Sequence, residues 1–432
     1  MNMSGKDNNA FILLGGLESS VNPEFIHALE ERNFAVLVID RPINRKGDTN
    51  FINSAIPEAL VAEIFCVEPD NYREVMQKVL AWAEVYNLAG VLNTTEEYLL
   101  CGAHIADYLS LPGPGMFASL VSSDKSIQRT YFNEYSPATY SMSLASLPAD
   151  MRFPLLLKPV GRHGGSGLLI INDADELEQQ VSSQSSEVFI LEEYIEGRDF
   201  SIETLVQNGQ VVYENITEEY SLAPPLGHLE MGYSIPAETI DEDTIAKAYA
   251  INRKIVSALK VQAGICHIEY RVDRKDDVYL IEIAARPPGD SLLNMYGLAV
   301  GEPIERQILN CLLGEAVVYP RPNRLVRQKY FVHEKGVFLS IDGLPNYAKP
   351  NVYHITRTRY RLGKLETKPA VGIDEVILNY ATGDHLSPLS DASTRVGSCI
   401  YSADDADSMA ELESRWVNNI SIAQTGRNMH SV

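Results

Sequence analysis

Ile265-Cys-His-Ile-Glu-Tyr-Arg271, a polar turn from Asp273 to Asp277, and Tyr279-Leu-Ile-Glu-Ile-Ala-Ala-Arg286 form the most informative stretch of the chain. Both flanking runs read as strands of a hairpin, bounded by turn formers. Side chains alternate along a strand, so His267, Glu269 and Arg271 share one face of the first run while Cys266, Ile268 and Tyr270 take the other. The same alternation groups Leu280, Glu282, Ala284 and Arg286 in the second. A two-residue turn at Lys275-Asp276 sets Glu269 directly opposite Glu282. Carboxylates so opposed destabilise a sheet unless a cation lies between them. Oxygen ligands completed by water and phosphate suit Mg²⁺ better than zinc. The other reading is an exposed hairpin with both glutamates solvated, or a longer turn with a different register.

Upstream, Leu155-Leu-Leu-Lys-Pro159 is an apolar strand ending in a lysine, followed by Gly161-Arg-His-Gly-Gly-Ser-Gly167. Glycines let consecutive backbone N–H groups approach phosphate oxygens, and Ser166 adds a hydroxyl. The loop is neither a Walker pattern nor a Gly-x-Gly-x-x-Gly helix opening, and a glycine-rich hairpin without a ligand is the alternative. A third apolar strand ends in Leu191-Glu-Glu-Tyr-Ile-Glu-Gly-Arg-Asp199, where a strand-end carboxylate can accept an adenine amino group or be merely solvated.

Towards the N-terminus, the strands Phe11–Leu14, Phe34–Ile39, Ile64–Val67 and Gly90–Asn93 alternate with helices over 22–32 and 72–87. This pattern predicts a parallel sheet covered on both faces, a Rossmann-like α/β domain. Pro112-Gly-Pro-Gly115 closes it. Short strands with helices over 173–182 and 243–260 follow as an α+β region, ending at a helix from Pro303 to Gly314. Beyond it lie scattered strands, such as 336–341 and 352–358, and a late helix over 404–418. The expected domains are 1–115 (Rossmann-like), 116–325 (two-lobed, with a lid lobe over about 135–200) and 326–432 (a C-terminal α+β extension that completes the fold of the second).

The 432 residues carry 36 basic and 58 acidic side chains, a formal charge of −22. Such acidity repels phosphate backbones and anionic lipid, so nucleic-acid and membrane-surface binding are not expected. Five dispersed cysteines without a Cys-x-x-Cys pair point to a reduced, cytoplasmic protein without a zinc site. The polar N-terminus reads as no signal peptide, and no apolar run reaches the length of a transmembrane helix.

Taken in order, these elements resemble the ATP-grasp superfamily, most closely its carboxylate–amine ligases of the L-amino-acid (dipeptide) ligase type, including those making dapdiamide-type amides. The resemblance covers essentially the whole chain. It implies ATP and Mg²⁺ as cofactors, with Lys125 of Ser122-Ser-Asp-Lys125 and Lys158 as phosphate-binding lysines and Gly164, Gly165, Ser166 and Gly167 as the loop that closes over the phosphates. Glu192 would accept from adenine N6, the backbone of Tyr194 and Ile195 would line the base, and Asp199 would bind ribose. Glu269 and Glu282 match the metal ligands, and Arg286 the arginine that stabilises the acyl phosphate. Glu230-Met-Gly-Tyr-Ser-Ile-Pro236 resembles the Glu-x-Gly-His-x-x-Pro segment that lines the substrate pocket. Two departures stand out. Ala284 replaces an asparagine ligand, and Tyr233 replaces a histidine, which moves acyl-phosphate stabilisation onto Arg286 and His267.

The implied reaction is amide formation between an amino acid, or its N-acyl derivative, and a second amino acid through an acyl phosphate, with Glu230 holding an ammonium group. Met231, Tyr233, Leu292 and Tyr296 suggest an apolar side chain on one substrate. Ligases of this kind are often dimers, so a homodimer is among the expectations. Loading of an amino acid onto a carrier-protein thiol and nucleotide sensing without turnover are the competing functions. Arg395-Val-Gly-Ser-Cys399 resembles part of the extension that packs beside the active site, and no catalytic role is expected there.

Overall fold

The apolar opening run forms β1 (Asn9–Leu14), continued by α1 (Glu24–Glu31), β2 (Ala35–Asp40), β3 (Glu63–Cys66), α2 (Tyr72–Val85), β4 (Asn87–Asn93) and α3 (Leu99–Leu109). The computed structural model describes residues 8–15, 24–41, 61–141, 151–160, 167–183, 188–222, 229–348, 350–352 and 371–425, and counts refer to these. The four strands make a parallel sheet in the order β3-β2-β1-β4. Alternation along β1 explains its unbroken hydrophobicity. Phe11 and Leu13 join a core shared with α1, whereas Ala10, Ile12 and Leu14 pack with Val75, Val79 and Trp82 of α2. A strand buried on both faces has no polar side.

After the Pro-Gly linker come α4 (Met116–Ser123) and α5 (Lys125–Tyr131), then a small sheet ordered β5-β8-β6-β7 from β5 (Thr139–Ser141), β6 (Leu155–Pro159), β7 (Leu169–Ile171) and β8 (Phe189–Glu193), with α6 (Ala174–Ser183) between β7 and β8. The chain then builds β9 (Gly197–Gln207), β10 (Gln210–Ser221), β11 (Glu230–Ile235), α7 (Glu242–Leu259), β12 (Ala263–Asp273), β13 (Val278–Ala284), α8 (Leu292–Val300), α9 (Ile304–Leu313) and β14 (Leu325–Tyr330). Pro303 and Gly314 flank α9, and Gly314 is left-handed (φ 70°). The last segments are β15 (Gly336–Asp342), β16 (Pro350–Val352), β17 (Gly372–Leu378), β18 (His385–Leu386), β19 (Gly397–Ala403), α10 (Ala406–Arg415) and β20 (Ser421–Thr425).

Nine of these strands form one sheet, β13-β12-β9-β10-β11-β14-β19-β17-β16, while β18-β15-β20 make a separate small one. The boundary expected at 325/326 therefore falls inside β14, and the large sheet runs continuously through it. Residues 1–7, 161–166, 353–370 and the other undescribed positions carry some of the expectations above. The loop residues Gly164, Gly165 and Ser166, and most of the strand expected at 352–358, lie outside the described residues.

The β12–β13 hairpin pairs Glu269 with Glu282, His267 with Ala284 and Ile268 with Ile283. This is the expected register, reached by a different route. The turn is a three-residue loop closed by Asp273 N to Asp277 O (3.0 Å) and Asp276 N to Asp273 O (3.1 Å), with Asp276 left-handed at φ 62°. The longer loop shifts the register by one, and a bulge at Ile281 shifts it back before Glu282. The bulge also corrects the expected face: Leu280 joins the buried core with Ile283 and Ala285 and does not share the side of Glu282.

Because β13 is an edge strand, its backbone needs partners. Gln128 of α5 bonds both Ile283 O (3.1 Å) and Ile283 N (3.0 Å), and Ser122 Oγ accepts from Ala285 N (2.9 Å). The same docking fixes α5 beside the two glutamates.

Candidate active site

Asp124 caps α5, accepting from Ser126 N (2.7 Å) and Ile127 N (3.3 Å). Lys125 thus occupies the first helical position, its Nζ 2.9 Å from Glu282 Oε1. Burial works against its charge, but Glu282 overcompensates and raises its pKa. Arg286 pairs through Nε with Glu96 and donates from a terminal nitrogen to Pro287 O at 2.8 Å. His267 lies between two carboxylates, Nδ1 at 2.8 Å from Glu203 and Nε2 at 3.4 Å from Glu269. Burial pulls the ring towards neutrality, yet the hydrogen bonds to Glu203 and Glu269 push its pKa up to about 10. Flanked by two carboxylates, the ring is favoured as an imidazolium, which would donate from both nitrogens. Glu203 is held in turn by Ser201 (2.9 Å), Thr217 (2.6 Å) and Tyr296 (2.6 Å).

On the small sheet, Glu192 is paired with Lys158 and with Arg129 Nε (2.8 Å), all three side chains essentially buried. Burial alone would raise the carboxyl, but the two cations hold it at about 2. Burial and the neighbouring Arg129 outweigh Glu192 at Lys158, whose pKa falls. Two cations against one carboxylate leave an excess positive charge here, which suits an incoming phosphate. Three contacts from Arg129 and Lys158 leave Glu192 about one lone-pair direction for an adenine amino group. Arg129 also donates to Ile281 O (2.8 Å), tying the small sheet's cluster to the bulged strand. Tyr194 lies under the Arg271 guanidinium (5.9 Å to the ring), and Ile195 O accepts from Arg271 (3.1 Å). Asp199 meets Arg271 in a fork at 2.5 and 2.6 Å and accepts from Ser221 (3.3 Å). Gly167 begins the turn into β7 with φ 75°.

At the other end of the sheet face, Arg395 reaches in from the loop before β19. Its terminal nitrogens bond Glu230 Oε2 (2.9 Å), Glu230 O (2.6 Å) and Asp290 (3.2 Å), and the guanidinium stacks 4.1 Å from the Tyr330 ring. Asp290 also takes the Tyr233 hydroxyl (2.8 Å). Burial, then the charge of Glu269, raises the Glu230 carboxyl to about 8 despite Arg395. Tyr233 is buried, with its hydroxyl committed to Asp290. Leu292 and Tyr296 do not line a substrate surface as expected. Both are buried in the core, because α8 packs against the sheet along its whole length, and Tyr296 turns its hydroxyl to Glu203.

The sequence reading missed Glu96, Arg129, Glu203, Glu219, Asp290 and Arg395. Arg395 carried the only usable signal, lying in a segment already noted but given no role. The two opposed glutamates form a hard-oxygen pair, and among the described residues no third His, Cys, Asp or Glu joins them as a preformed metal cage. That donor set fits Mg²⁺, which is commonly held by one or two carboxylates together with substrate phosphates. All five cysteines are free, and among the described residues no helix is long and apolar enough to cross a membrane.

Residues 151–294 match the ATP-grasp domain family. The L-arginine-specific L-amino acid ligase of Bacillus subtilis is 22% identical over 220 residues, 48% of this chain and 53% of that protein. The alanine–anticapsin ligase of Bacillus subtilis (strain 168) is 22% identical over 272 residues, 55% of this chain and 57% of that protein. The chain thus spans somewhat over half the length of these curated relatives. The crystal structure of an L-amino acid ligase from Bacillus licheniformis superposes with a TM-score of 0.75 at 20% identity, covering 98% of this chain and 100% of that one. Residues 151–294 are an ATP-grasp domain, set in a chain whose homologues include L-amino-acid ligases.

Proposed function

We propose that the protein is an ATP-dependent carboxylate–amine ligase that joins two amino acids, or an N-acyl amino acid and an amino acid, with release of ADP and phosphate. The observation that carries this reading is the convergence of Lys125 and Arg286 on the opposed pair Glu269 and Glu282, on an ATP-grasp domain. Glu269 and Glu282 would hold Mg²⁺, which when bound neutralises phosphate charge.

The substrate carboxylate attacks the γ-phosphorus of ATP, the bond to the β-phosphate oxygen breaks, and ADP leaves an acyl phosphate. Lys125 and Lys158 neutralise phosphate oxygens, while Arg286 and the His267 imidazolium offer charge to the transferring group. An amine then attacks the acyl carbon, phosphate departs, and one amine proton is released. Catalysis of this kind is mostly positioning and electrostatics. Glu192 and Asp199, each braced by cations, would position the nucleoside through Tyr194 and Ile195. Glu230, held by Arg395, would receive a substrate ammonium, with Tyr233 acting through Asp290. The amino-acid ligases among the relatives support this substrate class, and a cytoplasmic small-molecule enzyme is the setting it fits.

The test is ADP release with and without pairs of amino acids, coupled to hydroxylamine trapping of the acyl phosphate. Turnover only with pairs, a trapped hydroxamate, and loss of both in Glu282→Ala and Arg286→Ala are expected. ATP hydrolysis unchanged in those variants sinks the proposal, as does nucleotide binding without turnover across the panel.

A further inference from the structure

Glu219 sits on the site face of β10, paired in register with Asp199 of β9 and Tyr233 of β11. Its face follows from its neighbours: Thr217, two residues earlier, donates to Glu203, whereas Ile216, an odd number of residues away, packs into the core on the opposite side. Only 9% of Glu219 is exposed, and no donor or cation among the described residues bonds its carboxylate. The other acids of the site all have such a partner. Glu282 has Lys125, Asp199 has Arg271, Glu96 has Arg286, Glu230 and Asp290 share Arg395, and Glu203 and Glu269 share His267. Among the described residues, Glu219 is the acid of this group that no side-chain cation bonds.

A buried carboxylate without a partner costs several kcal/mol in its ionised form. Burial, followed by the charges of Glu269, Glu230 and Asp199, accordingly drives the Glu219 pKa well above the usual range. A ligand that brings its own positive charge removes that cost. Among the described residues Glu219 belongs to no group of three His, Cys, Asp or Glu side chains that could hold a metal ion by themselves. An organic cation on a flexible stem needs only the one carboxylate. Three of the side chains once expected to select an apolar substrate, Tyr233, Leu292 and Tyr296, lie in the core, which gives the polar side chains of this face a larger share in selecting it.

We propose that Glu219 is a specificity-determining residue that seats a cationic side chain, and that one of the amino acids joined here is a basic one bearing an ammonium or guanidinium group. This rests on the ligase reading for its second readout and on the site's geometry for its first. The first is calorimetric binding to the full-length protein, with Mg²⁺ and a non-hydrolysable ATP analogue, of lysine, ornithine and arginine against norleucine and Nε-acetyl-lysine. The basic amino acids should bind at least tenfold more tightly than the neutral ones, a comparison that needs no variant. In Glu219→Gln that preference should fall at least tenfold, with the variant's thermal midpoint equal to or above that of the parent. The second readout is the ratio of kcat/KM for lysine over norleucine, which should fall in parallel. Equal binding of lysine and norleucine by the parent overturns the proposal. So does an unchanged preference in the variant, or an upward shift in Mg²⁺ half-saturation without a change in preference. Selective lysine binding lost in Glu219→Gln, with no ADP release from any pair, sustains the cation seat and sinks the ligase reading alone.

Discussion

Replacing Glu192 by glutamine keeps the shape of the small sheet's buried cluster and removes its only negative charge. The magnitude can be worked two ways. A carboxyl that titrates at about 2 instead of 4.5 contributes about 3 kcal/mol to folding at neutral pH, at roughly 1.4 kcal/mol per tenfold. Independently, stripping one partner from a buried ion pair costs about 3–5 kcal/mol. The figures meet near 3 kcal/mol. Because the folded-state pKa lies below the unfolded one, this contribution is complete above about pH 4.5 and drains away as pH falls towards 2; by pH 3 only about 1.4 kcal/mol should remain. Hydrogen exchange of the β6 and β8 amides is the suitable assay, since it reads this lobe and not the whole chain. At pH 7 the variant should lose protection by on the order of a hundredfold, corresponding to about 3 kcal/mol. ATP should also bind more weakly, because Lys158, already pulled towards neutrality by burial, loses the carboxylate that holds its proton. Protection within threefold of the parent at pH 7, or a deficit undiminished at pH 3, refutes the reasoning.

Three further outcomes are expected. Arg395→Met should raise the KM of the amine-bearing substrate at least tenfold, the loss of one charge-assisted bond of about 1.5–3 kcal/mol, and leave the KM for ATP unchanged; steady-state kinetics with each substrate varied in turn separates the two. Glu269→Ala and Glu282→Ala should each raise the Mg²⁺ concentration for half-maximal ADP release, and chelation with EDTA should abolish turnover reversibly. Gly197→Ala should destabilise the protein by about 1–3 kcal/mol, read as a lower thermal midpoint. A Cβ at that position would lie 2.1 Å from Val272 O, backbone that cannot yield without parting β9 from β12 next to the Asp199–Arg271 fork.

Several elements were legible because they depend on short-range periodicity. The alternation of β1, β2 and β4 with their helices announced a parallel sheet, and Gly314 ended α9 where a left-handed residue was needed. The register of Glu269 against Glu282 was legible too, though for an incomplete reason: a longer loop and a bulge cancel, and neither leaves a mark in the hydrophobic pattern. The bulge then put Leu280 in the core, against simple alternation.

The sequence by itself determined the alternating architecture, the strands that carry Lys158, Glu192, Glu269 and Glu282, and an acidic chain that still keeps lysines and arginines at strand and helix ends. Only the tertiary structure decided which charge meets which. Lys125 finds Glu282, Arg286 finds Glu96 and Arg395 finds Glu230 across gaps of 157, 190 and 165 residues, and among the described residues no cation bonds the buried Glu219. The reason is physical. Local structure follows from the conformational preferences of neighbouring residues, whereas an ion pair depends on distance and desolvation in three dimensions, and no spacing along the chain encodes either.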